Sequence, residues 1–233
     1  MGGFFCDMPE LSHKLSAVLF DLDGTLVDSL EDIANAMNHT LAANGWPEHP
    51  VADYRMHVGD GVDMLAYRTL PAECREDTAL REEVVNQMKR RYSDRWYHRS
   101  RPYPGIPELL RALGGMEVRI GVLSNKPDEF TEVMVEHFFP DVVWHNVLGA
   151  MPGIPVKPAP DSALAIAKDW GLKPETILYV GDTRTDVLTA KNAGMPCAGV
   201  TWGFRDREEL AAHGADAIFD EAEALLAFIT ANL

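Results

Sequence analysis

Cysteine, basic residues and long apolar runs are all scarce in this chain of 233 residues. The three cysteines, Cys6, Cys74 and Cys197, are odd in number, far apart and without metal-type spacing, which excludes a disulfide framework and a thiolate metal site and predicts reduced thiols in a cytoplasm. Lysine and arginine total 21 against 36 acidic residues, a formal net charge of −15, so nucleic acid and anionic membrane surfaces are excluded as bulk partners. An anionic substrate would have to be attracted locally. No apolar run approaches the length of a membrane span, and Met1 to Ser12, despite Phe4-Phe5, has no signal-peptide core; residues 1–14 read as a flexible leader. Internal repeats and low-complexity tracts are also missing.

What is present is a large apolar fraction, 46%, enough for one large domain or for a core with a smaller companion. Short apolar runs at Ala17 to Phe20, Val118 to Leu123, Val142 to Val147, Thr176 to Val180, Cys197 to Val200 and Ala217 to Phe219 predict buried strands. Unbroken apolar strands belong to parallel sheets covered on both faces. Between them lie helical stripes, such as Phe130, Val133, Met134, His137 and Phe138, or Ala163, Leu164, Ala167 and Trp170. Pro127 marks one helix start, and Gly171 and Gly194 mark helix ends. The pattern predicts an α/β fold: a Rossmann-like parallel sheet core over residues 15–27 plus 101–233, with an inserted helical cap domain over 28–100.

The predicted cap has no convincing strand. It opens with Ser29-x-x-Asp32, a capping-box pattern, before a stripe of Leu30, Ile33, Ala34, Met37 and Leu41. A second stripe runs Leu80, Val84, Met88, Tyr92 and Trp96, and Arg101-Pro102-Tyr103-Pro104-Gly105 supplies a hinge back to the core. An insertion immediately after an active-site turn can cover that site and exclude water.

The candidate site begins at Asp21-x-Asp23-Gly24-Thr25, where an apolar run stops at two carboxylates one residue apart. At average residue usage this pattern arises by chance at roughly one start in 10⁵. Three further polar groups follow predicted strands or precede a helix: Ser124-Asn125-Lys126, Lys157-Pro158, and Gly181-Asp182-Thr183-Arg184-Thr185-Asp186. Parallel sheets bind ligands at such carboxyl ends. Asp21, Asp23, Asp182 and Asp186 cannot share a pocket unopposed, since two like charges ~4 Å apart repel by about 4 kcal/mol at an effective dielectric of 20. Lys157 and a divalent cation with oxygen ligands, which matches Mg2+, would relieve the repulsion.

Those groups make a phosphoryl-transfer set. Asp21 is the candidate nucleophile and Asp23 the candidate general acid and base. Ser124 and the backbone amide of Asn125, placed at a helix N-terminus, would hold phosphate oxygens, with Lys157 neutralising charge. Asp182 is the candidate direct cation ligand, and Asp186 and Thr25 are supporting residues. Each has a blander reading: Asp23-Gly24 as a turn, Lys157 as a solvated lysine, Ser124 or Asp186 as a helix cap. The basic cluster Lys89, Arg90, Arg91, Arg95, Arg99 and Arg101 is either a solvated face or a steering patch for anions. His57 is a weak candidate for substrate contact.

In this order and spacing the four motifs resemble the haloacid dehalogenase superfamily, specifically its capped phosphatases, over residues 15 to 230. The resemblance implies Asp21 as nucleophile, Asp23 as acid and base, Ser124 and Lys157 as the second and third motifs, and Asp182/Asp186 as the fourth. It also implies magnesium held by the Asp21 carboxylate, the Asp23 main-chain carbonyl and Asp182. Val58-Gly59-Asp60-Gly61-Val62, Arg101 to Gly105, Ser124 to Pro127 and Thr201-Trp202-Gly203-Phe204-Arg205 resemble phosphoglycolate phosphatases more narrowly, and Gly59, Asp60 and Gly61 become candidate specificity residues. The expected activity is Mg-dependent hydrolysis of a small phosphorylated metabolite, 2-phosphoglycolate, through an aspartyl-phosphate, by a cytoplasmic monomer or homodimer. Hydrolysis of pyrophosphate or a sugar phosphate, sugar phosphomutase activity and a non-enzymatic binding role are the alternatives. Carbon–halogen cleavage fits less well, because dehalogenases of this superfamily lack an acid like Asp23.

Overall fold

A computed structural model of the chain describes residues 11–233. The first ten residues of the expected leader, Cys6 among them, lie outside the described residues, whereas Leu11, Lys14 and Leu15 are tied to the chain end through hydrogen bonds to Asn232 and Leu233. Cys74 and Cys197 are free thiols.

β1 (Ala17–Phe20) leads through a tight bend to β2 (Val27–Asp28), and the chain then enters a run of helices: α1 (Leu30–Ala43), α2 (Tyr54–His57), α3 (Val62–Thr69) and α4 (Thr78–Ser93). It returns through β3 (Arg101–Pro102) to α5 (Ile106–Gly114), β4 (Arg119–Pro127), α6 (Asp128–Phe138), β5 (Asn146–Ala150) and α7 (Asp161–Trp170). β6 (Ile177–Gly181), α8 (Arg184–Ala193), β7 (Cys197–Val200), α9 (Arg207–His213), β8 (Ala217–Phe219) and α10 (Ala222–Ala231) complete the chain. Six strands form one parallel sheet in the order β5-β4-β1-β6-β7-β8. The connections diverge to opposite sides of β1, which makes its carboxyl end the switch point where α/β sheets bind ligands.

Alternation along the central strands sets the two core layers. Val18 and Phe20 face one apolar cluster with Leu178, Val180 and Phe228, while Ala17 and Leu19 face another with Tyr179, Val187 and Trp170. A third cluster belongs to the helical insert: Met37, Leu41, Tyr54, Val84, Met88 and Tyr92 bury the two predicted stripes against each other, joined by Phe130 and Phe204 from the sheet domain. Burial of such side chains, about 1.5–3 kcal/mol each, gives the insert its own core.

Three local expectations are corrected. Val142 to Val147 is not the strand; Val142 and Trp144 pack on the core from a loop, and the strand is Asn146–Ala150. It includes Gly149 because a Cβ there would run into Asp128, Thr131 and the Lys126 carbonyl. Ser29 and Asp32 form no capping box: neither side chain caps α1, since Ser29 donates to Asp23 (2.5 Å) and Asp32 Oδ2 accepts from Arg99 N–H, Ser100 N–H and Ser100 Oγ–H, each at 2.8 Å. The passages into and out of the insert are also paired strands, β2 antiparallel to β3, which pins the neck of the helical unit to the sheet domain.

Candidate active site

The Asp21 backbone N–H donates to Val180 O (2.8 Å), extending the β1–β6 ladder by one residue and aiming the side chain off the end of the sheet. The chain then bends around Leu22, whose carbonyl accepts from the N–H groups of Thr25, Leu26 and Val27. Gly24 sits at φ 91°, and a Cβ there would strike the Asp182 carboxylate, so only glycine allows the first bend to lie against the end of β6.

Lys157, four per cent exposed, brings the aspartates together. Its Nζ lies 2.8 Å from Asp21 Oδ1 and 2.7 Å from Asp186 Oδ1. Asp186 uses its other oxygen to accept from the Thr183 N–H (3.0 Å) and hydroxyl (2.8 Å), so it both caps α8 and holds the lysine. Asp182 accepts from Thr25 Oγ1 (3.1 Å) and from the Phe204 N–H (2.6 Å). Carboxylate oxygens of Asp21, Asp182 and Asp186 all lie within 4.8 Å of one another, and all three residues are buried.

Electrostatics reports what this cluster lacks. Burial, then the Asp186 charge, push Asp21 from 3.8 to about 7, and burial with Asp186 and Asp21 raises Asp182 well above the carboxylate range. Burial alone would lower Lys157, yet the Asp186 and Asp21 charges outweigh it and hold the ammonium well above its ordinary value. Asp23 has its own cation: Lys126 Nζ lies 3.0 Å from both its oxygens and 4.7 Å from the centre of the Tyr92 ring on α4. With all four aspartates ionised, two lysines would leave two negative charges uncompensated, the charge of one divalent cation, and without one the cluster holds protons instead. An all-oxygen cluster with that deficit fits a hard divalent cation.

Ser124 and Asn125 are placed differently from the helix N-terminus anticipated for them. They lie in the extended end of β4, with α6 starting only at Asp128. Ser124 Oγ accepts from Lys126 N–H (3.2 Å). The Asn125 amide accepts from Lys157 N–H (2.8 Å) and donates to Lys157 O (3.0 Å) and to Gly59 O (3.1 Å), clamping the lysine segment and a loop of the helical insert to one side chain.

Over these groups lies a cavity of about 70 Å³, with Asp21, Asp23, Ser124 and Lys126 on its floor. Ile33, Val62, Leu65, Met88, Tyr92 and Phe130 form an apolar wall, and Gly59 and Gly61 reach its rim. The Asp60 carboxylate accepts from Thr185 Oγ1 on α8 (2.6 Å) and pairs with Arg68, with Arg184 3.7 Å away. His57 packs edge-on against His49 and Tyr54. In the basic cluster, Lys89, Arg90, Arg99 and Arg101 pair with Glu129, Glu83, Glu31 and Asp28, which spends their charge locally.

Sequence reasoning missed Lys126 and the backing of Asp182. The first was legible, because in an extended segment Ser124 and Lys126 share a face. The second is the work of Thr201 to Arg205: Phe204 N–H binds Asp182, Trp202 Nε1 donates to Thr25 O (3.0 Å), and Gly203 packs so tightly that a Cβ would overlap Gly24 O and Asp182.

Residues 18–200 match the haloacid dehalogenase-like hydrolase model, and the chain belongs to that family. Within it the chain sides with phosphatases. It is 32% identical over 224 residues to the phosphoglycolate phosphatase of Mannheimia succiniciproducens, covering 94% of this chain and 100% of the relative. It is 32% identical over 212 residues to phosphoglycolate phosphatase 1 of Pseudomonas aeruginosa, covering 90% and 78%. A candidate phosphoglycolate phosphatase from Lactobacillus delbrueckii subsp. bulgaricus, known from its crystal structure, superposes with a TM-score of 0.86 at 33% identity, covering 93% and 98% of the two chains.

Proposed function

We propose that the protein is a cytoplasmic, magnesium-dependent phosphatase that hydrolyses 2-phosphoglycolate to glycolate and phosphate. The observation that carries the reading is the buried meeting of Asp21, Asp182 and Asp186 around Lys157 with two negative charges uncompensated. The Asp21 and Asp182 carboxylates and the Asp23 carbonyl would hold Mg2+, which would supply charge neutralisation for a bound phosphate. Asp186 has both oxygens engaged, by Lys157 and Thr183, and serves as an orienting group.

In the first half-reaction an Asp21 oxygen bonds to phosphorus as the bond from phosphorus to the alcohol oxygen breaks, and Asp23, carrying into this step the proton it takes up in the preceding turnover, gives it to that oxygen. In the second, Asp23 takes a proton from water, the water oxygen attacks the same phosphorus, and the Asp21 carboxylate leaves. Ser124 and Lys157 hold and neutralise the non-bridging oxygens. The helical insert acts as the cap: its apolar wall excludes bulk water, which strengthens every charge interaction beneath it.

Two features support a small anionic alcohol. The cavity is walled by Ile33, Val62, Leu65, Met88 and Phe130, which offer no hydrogen-bond partners to the several hydroxyls of a hexose. Lys126 places a buried ammonium beside Asp23, within reach of a carboxylate attached next to the leaving oxygen. The names of the relatives point the same way. Phosphate release should be measured with Mg2+ on 2-phosphoglycolate, pyrophosphate and a set of sugar phosphates. Preferential release from 2-phosphoglycolate is expected. Preference for a sugar phosphate, or isomerisation of one without phosphate release, would overturn the substrate assignment.

A further inference from the structure

Asp60 stands in the middle of a loop whose flanking glycines, Gly59 and Gly61, both have positive φ, 113° and 89°. The loop therefore turns sharply enough to drop one side chain onto the sheet domain. A Cβ on Gly59 would meet the Thr183 methyl at 3.5 Å and one on Gly61 the Asn125 carbonyl at 3.7 Å, so the loop lies directly on the ends of β6 and β4. Its attachment consists of Asp60 accepting from Thr185 Oγ1 (2.6 Å) and Gly59 O accepting from Asn125 Nδ2 (3.1 Å). On the far side Arg55 donates to Gly203 O, and Arg205 donates to the carbonyls of Arg55 and Val58 (3.2 Å to the latter). Thr185 is three per cent exposed, follows the aspartate that backs the cation cluster by three positions, and has no partner in the reaction scheme above.

We propose that Asp60 and Thr185 form the latch that closes the cap loop over the site, and that as positioning residues they make the enzyme discriminate between substrates that fit beneath a closed loop and those that do not. This rests on the phosphatase reading and adds a size filter to it. The bond joins a carboxylate on the cap to a hydroxyl on α8, on the residue immediately before Lys157's partner Asp186, so loop closure and the reacting groups share one helix. Arg68 donates to Asp60 from within the cap and Arg184 lies 3.7 Å away on the sheet domain, so the hydrogen bond that crosses to Asp60 from the sheet domain is the one from the Thr185 hydroxyl.

The test compares Thr185→Val, nearly isosteric but without the donor, with Thr185→Ser, which restores it, and with Asp60→Ala from the other side of the bond. Two substrates are used: 2-phosphoglycolate, and p-nitrophenyl phosphate, whose rigid aryl group is bulkier than glycolate and is expected to react with the loop lifted from the apolar wall. Thr185→Val is expected to lower kcat/KM for 2-phosphoglycolate about tenfold and to leave p-nitrophenyl phosphate unchanged or faster, with Thr185→Ser close to wild type. Amide hydrogen exchange of residues 58–62 in the metal-free protein should quicken about tenfold in Thr185→Val and Asp60→Ala, and the double variant should be no faster than either single one. Unchanged exchange in both variants, or an equal fall for both substrates, would overturn the latch. If wild type releases phosphate from neither compound the phosphatase reading fails by itself, and the exchange comparison still decides whether the latch exists.

Discussion

The carboxyl ends of β1, β4 and β6 and the helical insert above them are built on opposite principles. Below, the charged atoms are held by partners that are themselves held: Lys157 by Asp21 and Asp186, Asp186 by Thr183, Asp182 by Thr25 and Phe204. Neither of the two buried side-chain atoms lacking a hydrogen-bond partner among the described residues, Trp144 Nε1 and Glu209 Oε1, belongs to the site. Above, the insert offers mostly apolar wall and meets the sheet domain through a neck, a few hydrogen bonds and two shared aromatics. The floor is preorganised for chemistry that every substrate needs, and the roof can be refitted without disturbing it.

That division is broken most severely from below. Asp21→Asn removes the attacking oxygen and is expected to cut phosphate release by at least about 10⁴-fold while circular dichroism and the unfolding midpoint stay near wild type, because the amide still fills the site. Substantial turnover in that variant would sink the covalent route. Lys157→Met should lower activity comparably and also destabilise the fold by about 3–5 kcal/mol, since it strands two buried carboxylates.

Lys126 sits where the two regions meet. Lys126→Met is expected to cost about 10–100-fold in kcat/KM for 2-phosphoglycolate and less for a neutral alkyl phosphate, because only the former brings a carboxylate to that ammonium. Equal losses for both would reduce Lys126 to a positioner of Asp23.

Metal loading sharpens the contrast through stability alone. In the metal-free protein Asp21 titrates near 7 when folded and near 3.8 when unfolded, so between those values the folded state binds the extra proton. Stability from this group is therefore greatest below pH 3.8 and is lost as pH rises towards 7. On the proposed reading, Mg2+ would bind the ionised cluster and reverse that loss. At about 100 times its pH 8 dissociation constant it should add about 2.7 kcal/mol at pH 8, a rise of roughly 5–10 °C in Tm, and the same concentration should add less at pH 5, where protons compete for the cluster. A shift that is equal at the two pH values, or larger at pH 5, would place the ion elsewhere.

The two regions also differed in how much of them could be read from sequence. Six apolar runs located the sheet, four at almost their observed bounds, since a buried parallel strand must be apolar throughout while its end carries the polar residues. Val142 to Val147 misled because Val142 and Trp144 are apolar for packing from a loop, and the true strand carries Gly149 for a steric reason that appears only once Asp128 lies against it. Asp21, Lys157 and Asp182 were legible as a motif, whereas the Gly203–Phe204 backing of Asp182 was not, because a backbone N–H leaves no mark on residue identity. Gly59 to Gly61 announced a special loop, but which direction Asp60 faces is decided by Thr185, 125 positions away.

The smallest effect separates two residues at the neck that a local reading would pair. If Ser29 and Asp32 formed a capping box, removing either would weaken α1 alike and leave chemistry untouched. Here Ser29 donates to Asp23, and Asp32 gathers three donors from residues 99 and 100, where the chain leaves the insert. Asp32→Asn should therefore cost about 1–2 kcal/mol in urea unfolding, by weakening charge-assisted bonds at the neck, with kcat held within about twofold. Ser29→Ala should do the reverse, leaving stability within about 0.5 kcal/mol and lowering kcat several-fold, because Asp23 loses one of the groups that orients it. Matched losses of stability with normal turnover in both variants would restore the capping box and detach Ser29 from the site, since a hydroxyl committed to the helix start cannot also steer the acid beneath the cap.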